Sequence, residues 1–469
     1  MIGFVGLSHL GIIYGLATAA KGFAVVGFDR DAALCARLAQ GQFPVSEPGL
    51  DELFAANQSR VSFTADATAL ARCRVVFYSL DVPTDDAGHS DLGPLRELIA
   101  LTAPHLAPNA TAVILCQVPP GFTRSLKTSL ATTGQPLGGH LHYQVETLVF
   151  GNAVARALQP ERYIVGCDDP RAPLPAAYAQ WLGAFGCPVL PMRYESAELA
   201  KIAINFFLVS SVATTNTLAE VCEGIGADWS EIAPALRLDA RIGPKAYLTP
   251  GLGISGGNLE RDLVTVQHLA TPERGRPARE KPPATSTTAA TAAPLADTSI
   301  ITAWQHNSAH RKDWLARTLR AAFARRDLAR DGATLGIWGL AYKENTHSTK
   351  NSPSLQFIAA LPACRKQAYD PVVKIPTDAF PLFTQCATPL ACCRDASALV
   401  IATPWPEFRG ADLEAIRAAM PGRILLDPFG LLDGEHAAAL GFDYYRLGAP
   451  PRSGAPASGP AQTGTPVSQ

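Results

Sequence analysis

A glycine-rich turn close to the N-terminus is the first candidate site. The turn Gly6–Gly11 follows the apolar run Ile2–Val5 and precedes a helical stretch. Backbone N–H groups in such a turn, together with the positive end of the helix, can hold a pyrophosphate. Ser8 occupies the position of the middle glycine of the dinucleotide-binding pattern, and its hydroxyl could donate to phosphate.

Asp29, at the end of the second predicted strand, follows about 20 residues beyond the turn. A carboxylate at this place can accept hydrogen bonds from both ribose hydroxyls, which favours NAD over NADP. Because any βαβ unit can carry glycines and an acid at these spacings, the pattern alone leaves a purely structural role open.

Lys201 and Asn205 form a second candidate site. They are four residues apart in a segment with a helical pattern, so they share one helical face. Both side chains can stabilise an oxygen that develops negative charge. A solvated lysine and a locally paired asparagine are the structural alternatives.

The elements around these residues predict an α/β fold. Short apolar runs alternate with segments long enough for crossover helices, which is typical of open, mostly parallel sheets. The strand candidates are Ile2 to Val5, Phe23 to Phe28, Val75 to Leu80, Ala112 to Cys116, Tyr163 to Val165, Thr334 to Leu340, Ala398 to Thr403 and Ile424 to Asp427. A long apolar helix is predicted from Glu195 to about Gly224. We therefore expect two Rossmann-like, doubly wound domains joined by a long central helix.

Five segments are predicted along the chain. Residues 1–190 form an NAD-binding domain, 191–270 a central helical region for dimerisation and substrate, and 299–449 a second, smaller α/β domain. Residues 271–298 are rich in Pro, Ala and Thr and cannot bury enough apolar surface to fold alone, which predicts a disordered insertion. Residues 450–469 have the composition of a flexible tail.

Composition excludes several classes of partner. The 40 basic and 41 acidic residues leave a formal net charge of -1, so neither nucleic acid nor an anionic membrane surface is expected as a partner. The ten cysteines are scattered in a way that suits neither a disulfide framework nor a metal site, which favours the cytoplasm. The uncharged N-terminus lacks the preceding positive charge of a secretory signal, and no other segment resembles a membrane span.

Several segments, in order, resemble the UDP-glucose/GDP-mannose dehydrogenase family over nearly the whole chain outside the insertion and the tail. The matching segments are Glu47-Pro48-Gly49-Leu50, Val82-Pro83-Thr84, Val118-Pro119-Pro120-Gly121, Ala197-Glu198-Leu199-Ala200-Lys201, Arg241-Ile242-Gly243, Pro250-Gly251-Leu252-Gly253, Gly339-Leu340-Ala341-Tyr342-Lys343 and Tyr369-Asp370-Pro371. The resemblance implies a homodimer with NAD as cofactor and a nucleotide sugar, most simply a UDP-sugar, as substrate. It also implies a role in polysaccharide biosynthesis.

In such enzymes, the resemblance implies, the primary alcohol at C6 is oxidised twice, and a cysteine thiolate adds to the intermediate aldehyde. Counting back from Asp262 places Asn258 at the cysteine position. An amide is not a nucleophile, because its nitrogen lone pair is delocalised into the carbonyl. Cys222, on the same predicted helix as Lys201, lies about 30 Å further along the axis and cannot replace that thiol.

The resemblance also assigns site residues. Catalytic roles fall on Lys201, Asn205, Asp262, Glu146 and Asn258. Lys201 would stabilise an alkoxide and Asn205 would hold it or a water, while Asp262 or Glu146 would orient or deprotonate that water; the alternative for Asp262 is a simple ion pair with Arg261. Cofactor contacts fall on Gly6, Ser8, Gly11, Asp29, Arg30, Thr84 and Gln117. Substrate contacts fall on Arg241, Gly253, Gly256, Gly257 and Lys343.

The chain departs from the family pattern at further positions. Gln117 replaces a threonine, Phe150 a second glutamate and Arg261 a lysine, and Asp427-Pro428-Phe429 lacks the arginine expected to contact the nucleotide sugar. The identity of the sugar therefore stays open.

Three functions compete. The first is a dehydrogenase that stops at the aldehyde or oxidises the aldehyde hydrate without a covalent intermediate. The second is a former enzyme that binds NAD or a nucleotide sugar as a regulatory or scaffold protein. The third is a hydroxyacid dehydrogenase that uses a Lys-Asn helix pair, which the nucleotide-sugar loops of the last domain disfavour.

Overall fold

The computed structural model describes residues 1–85, 89–134, 137–255, 258–270, 295–329, 331–376 and 378–454. The chain divides into two compact units. The first comprises Met1–Phe206 with Arg261–Thr298, and the second comprises Phe207–Glu260 with Ser299–Gln469. Most of the predicted insertion, residues 271–294, and most of the predicted tail, residues 455–469, lie outside the described residues. The five predicted segments stay a prediction.

The first unit is built on an eight-stranded sheet with the order β3-β2-β1-β4-β5-β6-β7-β8. Its strands are β1 (Ile2–Val5), β2 (Val25–Phe28), β3 (Val61–Thr64), β4 (Val75–Tyr78), β5 (Thr111–Ile114), β6 (His140–Gln144), β7 (Tyr163–Cys167) and β8 (Val189–Arg193). All neighbouring strands are parallel except β6 and β7, which are antiparallel.

Helices cover both faces of this sheet, as the parallel connections require. They are α1 (His9–Ala20), α2 (Ala32–Ala39), α3 (Leu50–Asn57), α4 (Gly93–Thr102), α5 (Phe122–Thr133), α6 (Ala153–Leu158) and α7 (Ala176–Gly183). The central strands β1, β2, β4 and β5 are fully buried and rich in β-branched residues, which explains why their apolar runs were recognisable. The strands β1 and β2 end where predicted, β4 and β5 end two residues earlier, and β7 continues two residues further.

The long helix α8 (Tyr194–Ile225) begins one residue before its predicted start and ends one residue after its predicted end. Near its start, the buried Glu198 accepts hydrogen bonds from the backbone N–H groups of Gly121 (2.6 Å) and Thr123 (2.8 Å). These bonds satisfy two unpaired donors at the start of α5, and so they hold the first turns of α8 against the first unit.

By length and composition alone, α8 is apolar enough to cross a membrane, contrary to our expectation that no such segment exists. Core helices of water-soluble proteins pass the same test, and 39% of its most apolar window is buried inside the structure. The helix carries the charged residues Glu195, Glu198 and Lys201 near its start, which is unusual for a membrane span.

The second unit holds a six-stranded, fully parallel sheet with the order β11-β10-β9-β12-β13-β14. Its strands are β9 (Thr334–Trp338), β10 (Arg365–Tyr369), β11 (Phe383–Gln385), β12 (Ala398–Ile401), β13 (Ile424–Leu426) and β14 (Asp443–Tyr445). The remaining helices are α9 (Trp229–Leu238), α10 (Asn258–Ala270), α11 (Ser299–Lys312), α12 (Trp314–Arg325), α13 (Pro353–Ala359), α14 (Leu413–Ala419) and α15 (Gly434–Ala439). Two doubly wound sheets and a long helix confirm the predicted fold class.

Candidate active site

The glycine-rich turn lies where the strand order of the first sheet reverses, since β1 is paired with both β2 and β4. Gly6 adopts a φ of +89°, and a Cβ there would stand 3.0 Å from Leu80. A Cβ on Gly11 would overlap the carbonyl oxygen of Gly6 and lie 2.8 Å from the hydroxyl of Ser79. Only glycine fits both positions, and the turn therefore brings the start of α1 against the carboxyl end of β1.

The hydroxyl of Ser8, which is predicted to donate to phosphate, is bonded within the protein. It donates to the carbonyl of Ser79 (2.9 Å) and accepts from the backbone N–H of Asp81 (3.0 Å). A hydroxyl has one hydrogen to donate, so the expected bond to phosphate would require the bond to Ser79 to break. In this structure Ser8 ties the turn to the segment after β4.

The remaining predicted cofactor residues in the first unit lie around the same edge of the sheet. Asp29 follows β2, and its carboxylate accepts from the backbone N–H groups of Leu7 (2.9 Å) and Asp31 (3.0 Å). Each oxygen keeps a further lone pair for a ribose hydroxyl. Arg30 is exposed, with its guanidinium 3.4 Å from Glu97, and Thr84 forms an isolated bridge with Ser90.

A buried histidine and glutamate support this turn, and neither was predicted to have a site role. His9 Nε2 lies 2.9 Å from a carboxylate oxygen of Glu47, whose side chain is completely buried. Glu47 also accepts from the backbone N–H groups of Gly151 (2.9 Å) and Ala153 (3.1 Å). Phe150 stacks on the His9 ring at 4.3 Å between centroids. The only sequence signal was the Glu-Pro-Gly-Leu segment, which by itself indicated a loop and no partner.

Lys201 and Glu146 form an ion pair of 2.7 Å between Nζ and Oε1. The two side chains are 13% and 11% exposed, so the pair is largely shielded from solvent without being sealed off. The second oxygen of Glu146 accepts from the backbone N–H of Leu148 (3.0 Å), which orients the carboxylate. Glu146 follows β6, at the same edge of the sheet as the glycine-rich turn. In this arrangement Glu146 can accept the proton of a substrate hydroxyl, and Lys201 can stabilise the oxyanion that remains.

Asp262, four residues into α10, is the centre of a buried polar cluster. Its Oδ2 accepts from the amide of Asn205 (2.5 Å) and its Oδ1 from the amide of Gln117 (2.5 Å). Arg261 contributes a guanidinium nitrogen 3.5 Å from Oδ1 and donates a second, short hydrogen bond to the amide oxygen of Gln117. Burial raises the pKa of Asp262, and the Arg261 charge opposes that shift. Asp262 therefore pairs with Arg261, which is the structural alternative, and its role in orienting or deprotonating a water stays a prediction.

The predicted site residues of the second unit have the following surroundings within that unit. Asn258 is the exposed first residue of α10, and Arg241 is exposed and paired with Asp239 at 2.7 Å. Gly253 adopts a φ of +83°, and a Cβ there would approach the carbonyl of Ser308 to 2.6 Å. The Lys343 ammonium lies 5.7 Å from the centre of the Tyr342 ring. Gly256 and Gly257 lie outside the described residues.

The thiol of Cys116, next to Gln117, is buried in the first unit. It donates to the carbonyl of Tyr78 (3.1 Å), and burial raises the pKa of this thiol well above its usual range. Because the thiolate is the nucleophilic form, Cys116 is unsuited to covalent catalysis.

Comparison with known proteins identifies the family. Residues 1–182 match the NAD binding domain of the UDP-glucose/GDP-mannose dehydrogenase family, residues 195–278 match its central domain, and residues 336–434 match its UDP binding domain. The chain belongs to this family.

Relatives and solved structures agree with this membership. UDP-glucose 6-dehydrogenase TuaD of Bacillus subtilis is 27% identical over 462 residues, which cover 96% of this chain and 93% of TuaD. UDP-glucose 6-dehydrogenase of Pseudomonas aeruginosa is 28% identical over 464 residues, which cover 95% of this chain and 97% of that enzyme. The fold resembles that of UDP-D-ManNAc dehydrogenase from Pyrococcus horikoshii, with a TM-score of 0.79, 21% identity and coverage of 96% and 99%.

NAD is the cofactor of this family member, and the first unit fits it. The glycine cradle, the N-terminus of α1 and the remaining lone pairs of Asp29 have the chemistry that phosphate and ribose contacts require, and these individual contacts stay a prediction. The contacts of Gly6, Gly11, Asp29 and Gln117 with the cofactor stay predictions. In this structure the amide of Gln117 is bonded to Asp262 and Arg261.

We expect Gly11→Ala to weaken NAD binding at least about 10-fold, because the new methyl group collides with the Gly6 carbonyl and widens the turn. Gly15→Ala is a matched control in the same helix, since its Cβ would meet nothing closer than 3.7 Å. Titration calorimetry with NAD measures both variants. Equal affinity of the two would contradict the proposed cradle.

Proposed function

We propose that the chain oxidises the primary alcohol at C6 of a UDP-sugar, as a UDP-glucose 6-dehydrogenase does, by a route without a covalent cysteine intermediate. The observation that carries this proposal is the Lys201–Glu146 pair beside the Asn205–Asp262 contact. These four side chains provide oxyanion stabilisation and proton transfer. Family membership supports the reaction class, and Asn258 at the cysteine position supports the noncovalent route.

In the proposed reaction, each of three residues in the first unit has a separate role. Lys201 holds the developing alkoxide, and Glu146, 2.7 Å from its ammonium, takes up the hydroxyl proton. Asn205 donates one amide hydrogen to Asp262, which leaves its second amide hydrogen for the same alkoxide. Bound NAD would supply the hydride acceptor. The UDP-sugar assignment rests on the match of residues 336–434 to a UDP binding domain and on the relatives' names.

The test uses the purified chain with NAD and a panel of UDP- and GDP-sugars. NADH formation with one or more UDP-sugars is the expected result. Binding of NAD and a UDP-sugar without any NADH would contradict the proposal, and would favour a binding protein instead.

A homodimer is part of the proposal. In a single chain, α8 exposes large apolar side chains from Phe207 onward, including Phe207 at 79% and Ile225 at 72%. Exposed apolar surface of this kind favours association. Light scattering coupled to size-exclusion chromatography should give twice the mass of one chain, and a monomeric mass would contradict this part.

Substituting Asn258→Cys tests the alignment of the loop. If Asn258 occupies the nucleophile position, the new thiol forms a thioester with the oxidised substrate and adds one burst of NADH for each active site. Intact-mass spectrometry should detect the adduct. Asn109→Cys, at an exposed loop position, is the matched control and should form none. An Asn258→Cys protein without an adduct would show that the loop is aligned wrongly.

A further inference from the structure

The carboxylate of Asp262 has little capacity left to activate a water molecule. Asn205 and Gln117 each donate an amide hydrogen to a different oxygen at 2.5 Å, and Arg261 stands beside the second of these oxygens. The side chain is 2% exposed, so the remaining lone pairs face protein atoms rather than solvent. A general base must reach the proton that it removes, either directly or through one water. Asp262 therefore braces Asn205 in this structure.

Gln117 and Arg261 together limit the capacity of Asp262 to accept a hydrogen bond from water. They replace a threonine and a lysine of the family pattern, and they lie far apart in sequence. In the structure they contact each other, because the Arg261 guanidinium donates to the amide oxygen of Gln117 while the amide nitrogen of Gln117 donates to Asp262. A threonine side chain is too short to make both contacts. The replacements of the threonine by Gln117 and of the lysine by Arg261 therefore act as a single, coupled structural change.

The two oxidations of a primary alcohol make different demands. The first removes a hydroxyl proton and a carbon-bound hydride, giving an aldehyde, NADH and one proton, and the Lys201–Glu146 pair meets this demand. The second needs a nucleophile on the aldehyde carbon before another hydride can leave. Without a thiol that nucleophile is water, which must lose a proton to a base as it adds to the carbonyl.

We propose that Gln117 limits the reaction to one oxidation, so that the chain releases the aldehyde of its UDP-sugar instead of the uronic acid. This inference rests on the proposed function. Gln117 acts as a specificity-determining residue, since its amide takes one lone pair of Asp262 Oδ1 while Arg261 stands beside the same oxygen and the side chain is 2% exposed. A reaction that consumes carbonyl groups, such as a reduction or an amination, must then use the product.

The first experiment counts NADH for each UDP-sugar consumed and traps the product with hydroxylamine. One NADH and an oxime identified by mass spectrometry are expected. Two NADH and a uronic acid would overturn the inference while leaving the proposed function intact. No NADH with any UDP-sugar would overturn the proposed function, and the inference with it.

The second experiment tests Gln117 itself. Supplied with the UDP-sugar aldehyde and NAD, Gln117→Thr should form the acid about 100-fold faster than the unsubstituted chain, because Asp262 Oδ1 loses the amide donor of Gln117. Gln42→Thr, at an exposed loop position, is the matched control and should not change this rate. An unchanged rate in Gln117→Thr would contradict the inference that Gln117 limits the reaction to one oxidation.

The third measurement needs no turnover. In the free protein, the shifts in Tm caused by Gln117→Ala and Arg261→Ala should be non-additive in the double variant, because each single substitution already breaks the shared contact. Additive shifts would show that the two residues act independently and would overturn the coupled exchange.

Discussion

Lys201→Met should lower kcat for alcohol oxidation by about 100- to 1,000-fold, because it removes the positive charge that faces the developing alkoxide. It also leaves Glu146 without its partner at 2.7 Å, so the carboxylate is no longer held in place by the ammonium. Methionine keeps the length and apolar stem of lysine, and α8 should remain folded. Steady-state kinetics with the active UDP-sugar measure the effect.

Lys127→Met is the matched control for this experiment. Lys127 is in an exposed ion pair with Asp168 at 2.6 Å, and its side chain is 48% exposed. Such pairs contribute little to stability, and this lysine lies outside the proposed site. Its variant should keep the kcat of the unsubstituted chain, with the same circular dichroism spectrum as Lys201→Met. Full activity of Lys201→Met would contradict the proposed role of Lys201 in stabilising the alkoxide.

Asp262→Ala should lower the free energy of unfolding by about 3–5 kcal/mol, because it leaves the buried Arg261 charge without its counter-ion. The amides of Asn205 and Gln117 lose an acceptor at the same time, and buried donors without partners are costly. Urea denaturation followed by circular dichroism measures the change through the midpoint and the slope.

Asp168→Ala provides the comparison, because Asp168 is also bonded to two cations, Arg124 and Lys127, but its side chain is 49% exposed. We expect a loss of less than about 1 kcal/mol for this variant. If Asp262→Ala were no more destabilising than Asp168→Ala, then water must be able to reach the Asp262 cluster. The argument for a single oxidation would fail with it.

Much of the fold could be predicted because its signals are local. The buried strands β1, β4 and β5 have continuous apolar runs, and α8 has a long stretch without proline. The three strands of the first sheet that the sequence did not predict lacked such signals. β3 and β8 are only partly buried, and β6 carries two histidines and a glutamine among its five residues. Their place in the sheet depends on neighbouring strands, which no local pattern reports.

The candidate site was predictable only in part. The spacing of Lys201 and Asn205 put them on one face of α8, and the family resemblance added Glu146 and Asp262. The sequence did not indicate that Gln117 bonds to Asp262, a residue 145 positions away, or that His9 and Glu47 brace the glycine-rich turn. Gln117 was expected to contact the cofactor, and the hydroxyl of Ser8 was expected to contact phosphate.

By itself, then, the sequence determined the family, the two doubly wound sheets, the long helix and the identity of the side chains available for chemistry, because these depend on periodicity and on residues close together in the chain. The tertiary structure decided which of those side chains are already engaged. Hydrogen-bond partners such as Gln117 for Asp262 and Ser79 for Ser8 come from distant segments, and only packing sets the distances that allow one polar group to satisfy another.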